Sequence, residues 1–369
     1  MATRNLTRII VTALFFLGCL ALAATAGADP LAQIIDGAKK EGRVSVRIRS
    51  SFSDNSMKRL EKEIREKFGV DLKINYTPSG SMAKLLAHVM MEHKAGLAAS
   101  YDLVNFSNHA AEGFKAGVLE RVDWKPLITK DSNPEVVATH PSFYGSLIYY
   151  SSHQGLLYNP QKISADQVPK SFQELADPQW KHKVGIPSAS SGWTRRAYLL
   201  GKEKIFSELQ AILKNGAIQG PYTVLQTRYQ LEEIWMAFTI SSYWNFAVQK
   251  GVPAAWQTLD YAEVPFYSLA VPKGAKNPNA AKLVAVYLAS PEGSRFTNEE
   301  SGSGNLFYPG NYEHEISSQH KKQGIPEFFP TTDSRMIDFL VSKDYDKLRR
   351  EVSLVLSTGE GGAKKKKKK

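Results

Sequence analysis

The chain has 369 residues, a formal net charge of +11, 43% hydrophobic residues, 22% charged residues and a single cysteine. Such a composition excludes a disordered chain, a collagen and a disulfide scaffold, and the length favours two lobes over one core. Much of the charge is terminal: setting aside Arg4, Arg8 and the block Lys364 to Lys369 leaves 39 basic residues against 36 acidic ones, too even a balance for a nucleic-acid footprint.

Residues 1–28 have the layout of a secretory signal peptide: Arg4 and Arg8, an apolar run from Ile9 to about Ala23, then small residues at Ala24, Ala26 and Ala28. Cleavage is expected after Ala26 or Ala28, with lipidation at Cys19 as the rival reading. With the signal removed, the mature chain has no cysteine, hence no disulfide, thiolate nucleophile or cysteine metal ligand. No later stretch approaches the ~18 consecutive apolar residues of a membrane span.

After a helical Leu31 to Lys40, Val44, Val46 and Ile48 alternate with polar residues and predict a strand. A serine-rich turn at Ser50, Ser51 and Ser53 follows, and then Met57, Leu60, Ile64 and Phe68 recur at helical spacing. The pattern repeats through Leu72, Ile74 and Tyr76, the break Ser79-Gly80-Ser81, and the helical Met82, Leu85, Leu86 and Val89. A third strand, Asp102 to Phe106, runs into Ser107 and Asn108. Three strand-to-helix units predict an α/β lobe whose ligand lies beyond the carboxyl ends of parallel strands.

Further strands are expected at Gly155 to Tyr158 and Val184 to Pro187, a short helical stretch at Phe172 to Ala176, and a helix from Asn279 to Leu288. The segment Ser188 to Arg196 joins a strand end to a helix, and Ser301-Gly302-Ser303-Gly304 reads as a flexible loop. Beyond about Gly359 the Gly-rich and polylysine tail reads as disordered.

Serine hydroxyls and free backbone N–H groups at helix N-termini suit carboxylate or phosphate oxygens. On that ground Ser50, Ser51, Ser79, Gly80 and Ser81 in the first lobe, and Ser188, Ser190, Ser191 and Thr194 in the second, are candidate ligand-binding residues. Asn105 and Ser107 are weaker candidates of the same kind. Helix capping and turn formation explain the same residue types equally well. Arg195 and Arg196 are read in a first helical turn, where positive charge opposes the dipole and invites an anion; Arg195 is a candidate ligand residue. The eight histidines show no metal-binding spacing, and there is no nucleophile elbow, phosphate loop or dinucleotide fingerprint. No metal, cofactor or catalytic residue is expected, and the chain is read as no enzyme.

Several segments resemble, in order, the solute-binding proteins of ABC importers in the iron(III)-type cluster. They are Ala38 to Gly42, Ser79-Gly80-Ser81, Gly117 to Glu120, Leu157 to Pro160, Val168 to Phe172, Asp177 to Lys183, Ile186 to Gly192, Val271 to Pro278 and Ser290 to Gly293. The resemblance implies an α/β, two-lobed type II periplasmic binding fold with a ligand cleft between the lobes. It sets the expected division: lobe 1 from 29–153 and 262–345, lobe 2 from 154–261, and a C-terminal segment 346–369. It also implies a periplasmic monomer with a small-molecule solute and an inner-membrane permease as partners.

Iron-binding members carry adjacent tyrosines in the second half. Here Tyr243 matches one and Trp244 stands at the other, while Ser50 and Ser51 stand where a histidine would follow the opening strand. The expected ligand is therefore a polar, anionic solute or a metal chelate held in part by Tyr243; a ferric-iron carrier and a periplasmic sensor module are the alternatives.

Overall fold

In the computed structural model, residues 29–49 and 51–359 are described. The signal peptide, Cys19, Ser50 and the polylysine tail lie outside the described residues. Helix α1 (Pro30–Glu41) starts at a proline whose missing N–H costs nothing in a first turn, and Asp29 accepts from the Leu31 N–H. Strand β1 (Arg43–Arg49) buries Val44, Val46 and Ile48, the alternate residues of the pattern. Helix α2 (Asp54–Phe68) opens on a reciprocal cap between Ser53 and Ser56 and turns Met57, Leu60 and Ile64 inward. Then come β2 (Lys73–Ser79), α3 (Met82–Lys94), β3 (Leu103–Phe106) and α4 (His109–Lys115).

The middle of the chain supplies β4 (Leu147–Ser151), β5 (Gln154–Tyr158), β6 (Val184–Pro187), α5 (Ser190–Leu200) and α6 (Lys202–Lys214). It continues through β7 (Ile218–Gly220), α7 (Tyr222–Gln230), β8 (Met236–Ile240), α8 (Ser241–Gln249), β9 (Ala255–Gln257) and β10 (Ala262–Glu263). The last part holds β11 (Phe266–Ala270), α9 (Pro278–Leu288), α10 (Pro291–Ser301), α11 (Tyr312–Gln323), β12 (Glu327–Phe328), α12 (Ser334–Leu340) and α13 (Lys343–Thr358).

The strands form two five-stranded sheets ordered β2-β1-β3-β11-β4 and β7-β6-β8-β5-β9. In each, three parallel strands are completed by two strands that run antiparallel to their neighbours. The chain leaves the first sheet at β4, enters the second at β5 after only Ser152 and His153, and returns through β10 to β11. Beside that return, β10 pairs with β12 as a separate two-stranded ribbon. The two lobes thus have separate cores, one around Val46, Leu60 and Val284, the other around Leu156, Ile186 and Leu209. Among the described residues, no helix is long and apolar enough to cross a membrane.

Helix α13 packs Val352, Val355 and Leu356 into the second core. The helical stretch expected at 172–176 is a single 3-10 turn, Gln173–Ala176. One sequence reading changes. Ser301 to Gly304 is a buried junction instead of a loose loop. Gly302 there has φ +73 and its absent Cβ would lie 2.9 Å from the Ser242 carbonyl, so both conformation and space require glycine.

Candidate anion-binding cleft

Parallel strands end at their carboxyl edges in short loops, and here those loops from both sheets meet. The first sheet contributes Gly80, Met82, Ser107, Asn108 and His109, from the ends of β2 and β3. The second contributes Ser191 and Gly192 at the start of α5, Arg195 and Arg196 one turn on, and Tyr222 at the start of α7. Gln154, Tyr267 and Thr331 close the chamber, which holds about 340 Å³. A wider space of about 850 Å³ adjoins it, sharing Met82, Asn108, His109 and Ser191 and adding Ser81, Ser190, Tyr345 and Arg349.

Helix α5 begins at Ser190 with no side-chain cap on its N-terminus and no acidic residue in its first turn. Arg195 and Arg196 therefore occupy the second turn, not the first as the sequence suggested, and their charges are only weakly opposed by the dipole. Arg195 Nε donates to Glu263 Oε1 at 2.5 Å, with both side chains buried. Burial works against the Arg195 charge and the Glu263 carboxylate outweighs it, so the guanidinium stays protonated.

Arg196 is placed differently. Its guanidinium carbon lies 4.4 Å from the Phe172 ring centre, 4.6 Å from Phe238 and 4.8 Å from Tyr261. Its Nη2 reaches Gln154 Oε1 at 3.4 Å, and Nε approaches Glu263 Oε2 only to 3.9 Å. Among the described residues, Arg196 Nε and Nη1 have no hydrogen-bond partner, although the side chain is 1% exposed. Two guanidinium groups thus face one carboxylate. The surplus positive charge, beside an uncapped helix N-terminus, suits the oxygens of a carboxylate or phosphate.

His109, on the opposite wall, is kept neutral: burial lowers its pKa, and the Arg195 and Arg349 charges lower it further. Its buried Nδ1 has no partner among the described residues. The rings of Tyr222, Tyr243 and Tyr267 are held as neutral phenols by burial.

The chamber brings together Gly80, Ser107, Ser191 and Arg195 from the sequence candidates, and the adjoining space adds Ser81 and Ser190. The others stand elsewhere. The Thr194 hydroxyl donates to the Ser190 carbonyl within α5, and Ser51 accepts from Arg49 Nε. Ser188 is exposed beside the chamber. Ser79 and Asn105 are buried with side-chain atoms that have no partner among the described residues, and neither lines the chamber. Tyr243 sits 5.9 Å, ring to ring, from Tyr222 and lines neither space. Trp244 packs at 5.1 Å against Tyr312 and 6.0 Å against Trp256.

Sequence reading missed Glu263 as the partner of Arg195, and gave Gln154, Tyr222 and Tyr267 no role. Each belongs to the site through tertiary contact alone; the one local signal was the pair of adjacent arginines.

Residues 98–324 match the model of a family described as bacterial extracellular solute-binding protein. The chain belongs to that family. Two curated relatives are the major ferric iron-binding proteins of Neisseria meningitidis, 27% identical over 152 residues, and Neisseria gonorrhoeae, 26% identical over 151. Each alignment covers 38% of this chain and 46% of the relative, so the match spans about half the length of those proteins. Among solved structures, the substrate-binding protein of an ABC transporter from Agrobacterium tumefaciens is similar with a TM-score of 0.70 at 13% identity, covering 91% of this chain and 96% of that one. Iron-bound HitA from Pseudomonas aeruginosa gives 0.62 at 18% identity, over 84% and 99%. A Trichodesmium protein (IdiA, FutA) in complex with iron and citrate gives 0.60 at 18% identity, over 84% and 99%. These likenesses establish the two-lobed α/β fold.

Proposed function

We propose that this solute-binding family member is the periplasmic receptor of an ABC importer and captures a small anionic solute, bearing a carboxylate or phosphate, in the chamber between its lobes. The reading rests on Arg196: a buried guanidinium on the chamber wall with two nitrogens left without partners. A buried cation with unmet donors is unfavourable in a low-dielectric setting, and an anion that reached it would recover the missing hydrogen bonds. Contacts from such a solute to Ser107 and Gly80 on one side and to Arg196 and Ser191 on the other favour the closed arrangement, which a permease reads.

The lobes are assigned as 29–153 with 262–345, and 154–261. The signal over 1–28 is removed on export, and the monomer carries its cargo without chemical change. Calorimetry against carboxylates, phosphates and ferric citrate, with small-angle scattering for compaction, tests the reading. It is abandoned if none of these classes binds, or if binding leaves the radius of gyration unchanged.

A second reading has the cargo as ferric iron carried by an organic anion. It is favoured by the ferric iron-binding names of the Neisseria relatives and by the citrate in the Trichodesmium complex. Bare ferric ion fits poorly, because Trp244 fills the second tyrosine position with an indole that cannot ligate.

A further inference from the structure

Beside the segments of chain that cross between the sheets stands a group of side chains that the cleft does not use. His153 lies in the first crossing, between β4 and β5. Glu327 is on β12, the strand paired with β10 of the second crossing, and His320 and Glu313 come from α11. His153 and His320 are 0% and 3% exposed, and Glu313 is fully buried. The two imidazoles approach one carboxylate oxygen: His153 Nε2 and His320 Nδ1 lie 3.0 and 2.7 Å from Glu327 Oε1.

We propose that His153 Nε2, His320 Nδ1 and the Glu327 carboxylate form a site for a divalent transition metal of the zinc or cobalt type. Their ligand atoms all lie within 4.8 Å of one another. Zinc bonds of about 2.0–2.2 Å to nitrogen and oxygen bring such atoms to roughly 3.3 Å separation in a tetrahedral site, close to the nitrogen-to-oxygen distances already present.

The surroundings meet the second requirement of a metal site, that outer groups fix each ligand. The other nitrogen of His153 is 2.6 Å from Glu313 Oε2, and the other nitrogen of His320 is 2.7 Å from Thr258 Oγ1. Each ring can thus donate its remaining N–H outward and turn a lone pair toward the shared centre, the carboxylate–histidine–metal arrangement. Ser317 Oγ donates to Glu327 Oε2 at 2.7 Å and holds the carboxylate in place. Charge agrees as well: Glu313, fully buried, and Glu327, partly buried, bring two negative charges, which one divalent cation on two neutral imidazoles balances. Two imidazoles select against ferric iron, which prefers hard oxygen donors, so this site is separate in kind from the cleft.

The proton is the competitor. An imidazole binds a metal only through a nitrogen that carries no proton, so affinity falls as pH falls. The titration is therefore made at mildly alkaline pH on the metal-stripped mature chain, using Co²⁺ with absorption detection and Zn²⁺ as competitor.

The expected result is one equivalent of Co²⁺ with a four- or five-coordinate visible band, displaced by Zn²⁺, and X-ray absorption showing two imidazoles in the shell. His320→Gln and Glu327→Gln should each weaken binding at least tenfold while circular dichroism stays unchanged. Thr258→Val, which removes only the oxygen that positions His320, should weaken it by roughly tenfold. Failure of wild-type protein to bind Co²⁺ or Zn²⁺, a shell without two imidazoles, or binding equally tight in the folded variants overturns the assignment. The absorption spectrum of wild-type protein decides the matter even if the buried variants do not fold.

Discussion

Arg195 on α5 and Glu263 on β10 meet at 2.5 Å, so the ion pair ties a helix of the second lobe to a strand that crosses back to the first. The carboxylate serves two cations at once, since Arg196 Nε also lies within 3.9 Å of it. What happens at Glu263 therefore bears on both the stability of the empty protein and its appetite for an anion.

Replacing Glu263 with Gln leaves two buried guanidinium groups without a counter-charge. Loss of one partner of a buried pair costs about 3–5 kcal/mol, and chemical denaturation should show a decrease of that order. The empty variant should also be stabilised by added sulfate more than wild type is, because an anion that binds only the folded state raises its stability. Equal sulfate effects on both proteins would show that the arginines do not face an anion site.

Arg196→Met keeps the apolar stem among Phe172, Phe238 and Tyr261 while removing the fork. Hydrogen bonds to charged groups are worth about 1.5–3 kcal/mol, so calorimetry should report affinity for the anionic solute lowered roughly 10- to 150-fold. Arg196→Lys restores the charge without the planar fork, and should recover only part of the loss.

His109 sets a pH dependence. Its pKa is lowered in the folded, empty protein, so its contribution to stability is present above the unfolded value near 6.5 and is lost as pH falls below it. An anion bound nearby favours the protonated ring and raises that pKa. Solute affinity should therefore increase as pH drops from about 7 toward 5.5, and His109→Gln should flatten the profile. A solute whose affinity falls over the same range in wild type would contradict the placement of its anionic group.

At Gly192 a Cβ would have as its nearest atoms Arg195 Nη2 at 3.8 Å and Gln154 Oε1 at 4.0 Å, ordinary contact distances. Gly192→Ala should thus fold normally, with a gain of up to about 1 kcal/mol from helix propensity. Gly192→Leu would extend into a chamber of about 340 Å³ and should abolish or strongly weaken solute binding at unchanged melting temperature. Retained affinity in the leucine variant would place the solute elsewhere.

The first-sheet strands and their helices were legible because alternation and helical spacing are local properties. Val44, Val46 and Ile48 show one period, and Met57, Leu60 and Ile64 the other. The strand-end loops at Gly80, Ser107 and Ser191 were legible for the same reason. What the sequence could not reveal is pairing across distance. Arg195 and Glu263 are 68 positions apart, and His153 and Glu327 are 174 apart, so neither spacing carries a motif. Nor does sequence show where a hydroxyl near a helix start turns: that of Thr194 is engaged by its own backbone and that of Ser51 by a neighbouring arginine. The Gly302 region read as a loose loop because its glycine and serines signal a turn locally. Its burial comes from Asn245, which donates to the Gly302 carbonyl, and from Ser151 N, which donates to that of Gly304.

Helix α13 lies on the second core although α12, just before it, supplies Ile337 to a core of the first lobe, and Phe339 of α12 stacks at 3.9 Å on Tyr198 of α5. The chain accordingly spans the divide three times rather than twice. Relative rotation of the halves must either bend the short linker at Val341 and Ser342 or slide one ring over the other. This tether limits how wide the mouth can gape, and cutting it should broaden the range of angles sampled without a guest.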